Sequence, residues 1–274
     1  MPSTVHPIPT PAALLLMGVA LVYLRGWYRL RGGLPNLLSV SRLITFVTGV
    51  VALWAAVASP LAGLDHQLLT AHMAQHLLLM TVAAPLVLLG APVMALWYGL
   101  PQRFLRSILG PLLQNRPAQS LGRIISHPVF CWLASTVVVI GWHVPALFEL
   151  GMRSAGWHEA EHACFLAAGL FFWWPVIQPW PSLERWPRWR IPLYLFLATL
   201  PCDALSAFLA LCNRVVYSHY LVAGRLFDLS ALGDQQCAGA LMWVCVTFAY
   251  LAPAAAVTIQ LLSPQSRASQ AEAV

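Results

Sequence analysis

The sequence is short of charged residues, and it contains no lysine. Only 9% of its 274 residues are charged and 59% are hydrophobic, with a mean hydropathy of +0.72. Because about a quarter of the residues in a soluble domain are charged, this chain has too little polar surface to cover a globule in water. The composition indicates an integral membrane protein and argues against a separate soluble domain.

Several motif classes are missing as well. The six cysteines are scattered without a CxxC pair, which argues against a zinc or redox motif. We find no phosphate-binding loop, nucleotide fingerprint or nucleophile–base pair, so we do not expect an enzyme. All fifteen basic residues are arginines and form no stripe interleaved with aromatics, so nucleic acid is not an expected partner.

Seven apolar runs predict seven transmembrane helices, since about 20 apolar residues cross a bilayer. The runs cover residues 10–29, 40–60, 70–98, 127–148, 157–179, 190–212 and 236–262. The third run contains Pro85 and Pro92, which predict a kink or tilt. We predict an all-α, polytopic membrane helix bundle with a single domain over residues 1–262 and a disordered cytoplasmic tail over residues 263–274.

The arginines predict the orientation of this bundle. Twelve of them lie in the first, third and fifth connections or in the tail, whereas the other side has only Arg153, Arg214 and Arg225. The positive-inside rule places the twelve in the cytoplasm. The N-terminus is then predicted outside and the C-terminus in the cytoplasm.

Histidines gather on the opposite side. With this orientation, eight of the nine lie on or near the outer face: His6, His66, His72, His76, His143, His158, His162 and His219. "HMAQH" and "HEAEH" each place two histidines four residues apart, on one helix face. From the rise per residue, three helices bring an imidazole to a similar depth, about 7–9 Å below the outer ends of their helices. Polar groups at that depth should face the bundle interior, because facing lipid is costly.

Imidazoles that converge from facing helices build metal and haem sites in helix bundles. The candidate ligands are His72, His76, His143, His158 and His162. Neutral imidazole suits copper, zinc, iron and nickel, and the thioethers of Met73 and Met152 would favour Cu(I). The carboxylates Asp65, Glu159 and Glu161 could orient the rings by accepting their other N–H, and His66 is a further supporting residue. The alternatives are a structural role for any single histidine and a helix cap for Glu161.

Other polar residues lie within or beside the predicted spans. Asp203 lies near the middle of the sixth span, either as a functional carboxylate or as a protonated structural group. Asp234, Gln235 and Gln236 open the seventh helix, where they cap its free N–H groups or reach the histidines. A disulfide between Cys212 and Cys237 is left open.

Four motifs in order carry a family resemblance. "HMAQHLLLMTVAAPLVLLGAP", "WHVPALFE", "WHEAEHACFLAAGLFFWWPVI" and "DQQCAGALMWV" lie within residues 60 to 260. Together they resemble the multi-span, CtaG-type assembly factors of bacterial caa-type cytochrome c oxidases. The family's histidine motifs fall on the five candidate ligands, with Glu161 between the last two, and its aspartate–glutamine motif on Asp234, Gln235 and Gln236.

The resemblance implies a multi-pass protein of the bacterial plasma membrane that is needed to make an active haem–copper oxidase. Its expected partners are oxidase subunits and the lipid bilayer. Copper for the oxidase copper centre is the expected cargo. The alternatives are a haem-binding or electron-transfer protein with paired histidine ligands, and a copper transporter with Asp203 as a relay. A di-iron oxygenase is disfavoured, because the sequence lacks an HxxHH box.

Overall fold

The computed structural model describes residues 11–31, 39–101, 115–179, 186–223 and 228–263, together with isolated positions between 102 and 114. All regular secondary structure in this part of the chain is helical. His6 and all but the first residue of the predicted tail fall outside the described residues.

Eleven α-helices, interrupted by short 3₁₀ turns, make up the described ranges. They are α1 (Pro11–Arg31), α2 (Val40–Val57), α3 (Leu69–Leu89), α4 (Pro92–Gly99), α5 (Arg116–Ile125), α6 (Pro128–Trp142), α7 (Pro145–Arg153), α8 (Ala155–Ile177), α9 (Ile191–Leu211), α10 (His219–Val222) and α11 (Ala231–Leu262).

Six of these helices are long and apolar enough to cross a membrane: α1, α2, α3, α8, α9 and α11. A seventh candidate is the pair α5 and α6, which is bent by 67°. Large apolar side chains on the outer faces stay exposed, including Leu15 (69%), Val137 (67%) and Phe248 (71%). The structure therefore confirms an all-α membrane bundle. The side of the membrane on which each end lies stays a prediction.

A π-helical segment, Leu78–Ala83, interrupts α3 ahead of Pro85. The N–H of Ala84 donates to Leu79, five residues back, and Pro85 has no N–H to offer the next carbonyl, that of Met80. The indole N–H of Trp173, on α8, donates to this Met80 carbonyl at 2.9 Å. The predicted kink in the third span is thus a π-helical turn. Its free Met80 carbonyl accepts a hydrogen bond from a neighbouring helix.

The long third span ends earlier than predicted. The helix stops at Leu89, and Ala91 adopts a left-handed conformation with φ of 51° before Pro92 begins α4. Proline suits the first turn of a new helix, where its missing N–H would have no partner. The residues predicted as one span therefore form two helices.

The fourth predicted span, residues 127–148, is also divided. Pro145 cannot donate to the carbonyl of Gly141, and it holds Val144 in an extended conformation with ψ of 125°. Helix α6 therefore ends at Trp142, and His143 lies at its C-cap. The prediction that His143 lies about 7 Å inside the end of a continuous helix is wrong.

Two apolar clusters fill the bundle around the histidines. The larger one is in the middle and includes Leu79, Phe172, Leu195 and Tyr250. The smaller one includes Phe148, Leu209, Tyr217 and Met242. It lies where α3, α8 and α11 begin and α6 and α9 end, which we call the histidine end. At the other end, Arg123, His127 and Arg190 line a shared pocket, so these arginines and the histidine cluster are separated as predicted.

Close approach between α3 and α8 depends on Gly169. A Cβ atom at this position would lie 2.9 Å from both the Met80 Cα and the Ala84 Cβ atoms. We expect Gly169→Val to lower the free energy of unfolding by about 1–3 kcal/mol, because the helices must separate to admit the side chain. Thermal unfolding of the detergent-purified protein measures this change.

Gly18→Ala is the matched control, because a Cβ atom there meets nothing within 4 Å. This variant should unfold at the wild-type temperature or slightly above it, since alanine favours the helix. Equal unfolding temperatures for the Gly169 variant and the wild type would show that close approach of α3 and α8 does not require glycine at this position.

Candidate metal centre

Two histidines of α3 converge on one carboxylate of α8. His72 Nε2 lies 3.4 Å from Glu161 Oε1, and His76 Nε2 lies 3.6 Å from the same oxygen. The three side chains are 0–5% exposed. Gly151, on α7, leaves room for the carboxylate, because a Cβ atom there would lie 2.9 Å from Glu161 Oε2. We call these three residues the inner cluster.

The spacing in the inner cluster fits an ion better than direct hydrogen bonds. Hydrogen bonds between charged partners are about 2.7–2.9 Å long, whereas two ligands of one tetrahedral ion lie about 3.3–3.6 Å apart when each is 2.0–2.2 Å from the metal. Among the described residues, both ring nitrogens of His72 and His76 and both oxygens of Glu161 lack a hydrogen-bond partner. Buried polar atoms without partners are rare in folded proteins. This donor set can therefore hold a metal ion.

His158 and His162 extend the cluster along α8. The ring centre of His158 lies 5.5 Å from that of His72 and 4.4 Å from that of His162. His162 in turn lies 5.7 Å from His76. The two HxxxH pairs therefore face each other across the contact between α3 and α8, as their spacing predicted. The Nε2 atoms of His158 and His162 also lack hydrogen-bond partners among the described residues.

A second group of donors lies between the cluster and the protein surface. His158 Nε2 is 3.4 Å from Asp65 Oδ2, and His66 Nε2 is 3.9 Å from Asp65 Oδ1. Asp65 ends the 3₁₀ turn that precedes α3, and its Oδ1 accepts the His66 N–H at 2.7 Å. We call Asp65, His66 and His158 the outer cluster.

His143 approaches the inner cluster from α6. Its Nδ1–H donates to the Val139 carbonyl at 2.6 Å, so the lone pair is on Nε2. This Nε2 atom is buried and has no hydrogen-bond partner in the described part of the chain. His143 and His76 line a common cavity of about 30 Å³, which is large enough for one water molecule or ion.

Asp234 does not cap its own helix. Its carboxylate accepts the N–H groups of Leu69 and Thr70 at 2.6 and 3.0 Å, and thereby caps α3. The N-cap of α11 is Ser230, whose hydroxyl accepts the Gly233 N–H at 3.0 Å. The prediction that Asp234 caps the seventh helix is therefore wrong. Asp234 instead fixes the start of the helix that carries His72.

The two glutamines that follow have separate positions. Gln235 accepts the Val216 N–H at 2.7 Å and donates to the Arg214 carbonyl at 3.0 Å, so it ties the connection after α9 to α11. Gln236 is half-buried on another face of α11. Neither belongs to the inner or the outer cluster.

Asp203 lies on α9 and belongs to neither cluster. It is half-buried, and among the described residues its buried Oδ1 atom lacks a hydrogen-bond partner. It is therefore an unexplained polar group within a spanning helix.

The soft donors considered from the sequence are not at the clusters. Met73 and Met152 pack in the smaller apolar cluster with Phe148 and Tyr217. All six cysteines are free thiols, including Cys212 and Cys237. Imidazole nitrogens and carboxylate oxygens are the donor atoms of the inner and outer clusters.

Sequence reasoning gave too small a role to Glu161 and missed two tyrosines. Glu161 is central to the inner cluster, and its position one turn from His158 on the same helix was the available signal. Tyr217 donates to the His143 carbonyl at 3.1 Å, and Tyr220 donates to the Asp65 carbonyl at 2.7 Å. Burial raises the pKa of both phenols above the ordinary value, so they remain donors. Nothing in the sequence marks these two tyrosines.

Comparison with known proteins identifies the family. The profile of the family described as "Cytochrome c oxidase caa3 assembly factor" matches residues 21–263. The chain belongs to this family. The family description points to a non-enzymatic role. Together with the six or seven apolar helices, it identifies the chain as a multi-pass protein of the bacterial plasma membrane.

Three mycobacterial relatives of this caa3 assembly factor family protein are longer than the chain itself. An uncharacterised protein of Mycobacterium leprae is 26% identical over 85% of this chain and 35% of its own length. Uncharacterised proteins of Mycobacterium bovis and Mycobacterium tuberculosis are each 27% identical over 82% of this chain and 34% of their own length. The chain thus spans about a third of the length of the curated relatives it matches. No solved structure matches it significantly.

Loss of the Asp234 carboxylate should loosen the start of α3. We expect Asp234→Ala to reduce the free energy of unfolding by about 0.5–2 kcal/mol, which is typical for removal of a helix cap. Thermal unfolding in detergent tests this expectation. Gln236→Ala, two residues away, is the control and should unfold like the wild type. Identical behaviour of the two variants would contradict the capping role.

Proposed function

We propose that the protein handles copper during assembly of a haem–copper oxidase, and that the inner cluster binds the ion. The single observation that supports this proposal is the convergence of two imidazoles on one buried carboxylate oxygen, without other hydrogen-bond partners among the described residues. Membership of an oxidase assembly family makes copper the candidate cargo, and oxidase subunits in the bilayer are the candidate partners.

The donor chemistry agrees with this cargo. Imidazole binds copper well, and nitrogen with carboxylate oxygen suits the divalent ion. His143, His158 and His162 offer further lone pairs to an ion that has left its first ligands. A site for cargo must release the ion again, and several neighbouring donors allow ligands to be exchanged one at a time.

Two buried phenylalanine rings pack against the imidazoles of the inner cluster. The ring of His76 stacks on Phe165 with 3.8 Å between centres, and His72 meets the ring of Phe148 at 5.0 Å. Both phenylalanines are 1% exposed. They hold the imidazoles in fixed orientations and exclude water from the ion on the side facing the bundle interior.

The haem alternative is disfavoured by space. The cavity beside His76 and His143 measures about 30 Å³, which is close to the volume of one water molecule and far below that of a macrocycle. The transporter alternative needs polar groups through the membrane. Asp203 belongs to neither cluster, and the side chains of Phe172, Leu195 and Tyr250 occupy the middle of the bundle.

Copper retention by the purified protein tests the proposal. Protein loaded with Cu(II) and passed over a desalting column should retain copper, and the electron paramagnetic resonance (EPR) spectrum should show nitrogen ligands. We expect the double variant His72→Ala/His76→Ala to retain at least about tenfold less copper. Loss of a supporting residue typically lowers metal affinity about 10–100-fold, and loss of a ligand should lower it further. Glu161→Gln should lose copper while it keeps the side-chain shape.

His127→Ala is the matched control. His127 is exposed at the other end of the bundle, where its Nδ1 accepts the Val129 N–H at 3.3 Å. This variant should retain as much copper as the wild type. Full retention by the double variant, or a haem Soret band in the wild type, would overturn the proposal.

A further inference from the structure

The outer cluster connects the inner cluster to the protein surface. The exposed fraction of the side chains falls from 52% at His66 to 12% at His158 and to 0% at His72. The ring centres of His66 and His158 are 5.4 Å apart, and those of His158 and His72 are 5.5 Å apart. A continuous series of imidazoles therefore leads from solvent to the buried carboxylate.

We propose that Asp65, His66 and His158 form a second metal site, an entry site that loads the inner cluster. This inference rests on the proposed function, because it gives the same cargo its route. The donor atoms of these residues all lie within 4.8 Å of one another, as do those of the inner cluster. Asp65 is 3% exposed, so its carboxylate is buried beneath His66 and is not a solvated surface charge.

His158 is the member of the outer cluster that lies next to the inner cluster. Its Nε2 faces Asp65 at 3.4 Å, while its ring stacks on that of His72 with an angle of 22°. The ion moves one ligand at a time, as bonds to His72, His76 and Glu161 form and bonds to His66, Asp65 and His158 break. No electron is transferred, and the oxidation state of the ion is unchanged. His158 is the last ligand of the outer cluster to release the ion.

Neighbouring elements hold the entry site in shape. His219 Nε2–H donates to the His66 carbonyl at 3.1 Å, and Tyr220 donates to the Asp65 carbonyl. Helix α10, which carries both residues, is tied to α7 by Glu149, whose Oε1 accepts from Ser218 Oγ at 2.7 Å and from the His219 N–H at 3.0 Å. Burial alone would raise the pKa of Glu149, but these hydrogen bonds lower it below the ordinary value. The carboxylate thus remains an acceptor.

The rate of copper loading separates an entry site from a bystander. The full-length protein in detergent is mixed with one equivalent of Cu(II), and EDTA is added after increasing delays. Copper at the entry site is open to the chelator, whereas copper at the inner cluster is protected. The wild type should show an early, EDTA-accessible nitrogen-ligated EPR signal that is replaced by an EDTA-resistant one.

His66→Ala should lose the early signal and load the inner cluster at least about tenfold more slowly, because it removes the exposed ligand of the entry site, and loss of even a supporting residue lowers metal affinity about 10–100-fold. Its final EDTA-resistant copper should equal that of the wild type, which also shows that it is folded. Asp65→Asn, which keeps an oxygen for the His66 N–H, should slow loading as well. His127→Ala should load at the wild-type rate.

His72→Ala/His76→Ala separates the two proposals. It should keep the early, EDTA-accessible copper and never acquire the resistant form. Loading of His66→Ala and Asp65→Asn at the wild-type rate would overturn the entry site while leaving the inner cluster in place. A wild type that takes up no copper at all would overturn both the proposed function and the entry site.

Discussion

The buried carboxylate of Glu161 is the constraint on which the rest of the histidine end depends. A carboxylate within a membrane bundle is costly unless a cation or a proton accompanies it. Here its oxygens take no hydrogen bond from the described residues, and two imidazoles face one of them instead. Space for this group depends on Gly151, and the helix–helix distance depends on Gly169. The side chains of the inner cluster are thus held close together without direct hydrogen bonds to one another.

Helix α3 is positioned by groups from other helices at three points along its length. Asp234 of α11 caps its beginning, Trp173 of α8 takes the carbonyl freed at the π segment, and Tyr23 of α1 donates to the Gly90 carbonyl at 2.8 Å just past its end. These contacts fix the rotation of α3 about its own axis. The direction in which His72 and His76 point follows from that rotation, so residues far from the cluster determine its geometry.

The helical content and the pairing of the histidines could be predicted from the sequence, because long apolar runs and i, i+4 spacing report local periodicity. The break at His143 could have been predicted from Pro145, but hydrophobicity continued across it and concealed the boundary. The role of Asp234 could not be predicted, since the carboxylate caps a helix that begins 165 positions earlier in the chain. The central position of Glu161 likewise depends on which face of α8 meets α3, which only tertiary packing decides.

The net charge of the inner cluster has a consequence for how long an ion would stay there. Neutral imidazoles contribute no charge, so Glu161 supplies a single negative charge to the cluster. A divalent ion bound there leaves one uncompensated positive charge in a low-dielectric interior, and such a charge is costly. The second negative charge is on Asp65, in the outer cluster. A divalent ion would therefore not be fully compensated at either place, which would favour short residence and onward passage over storage.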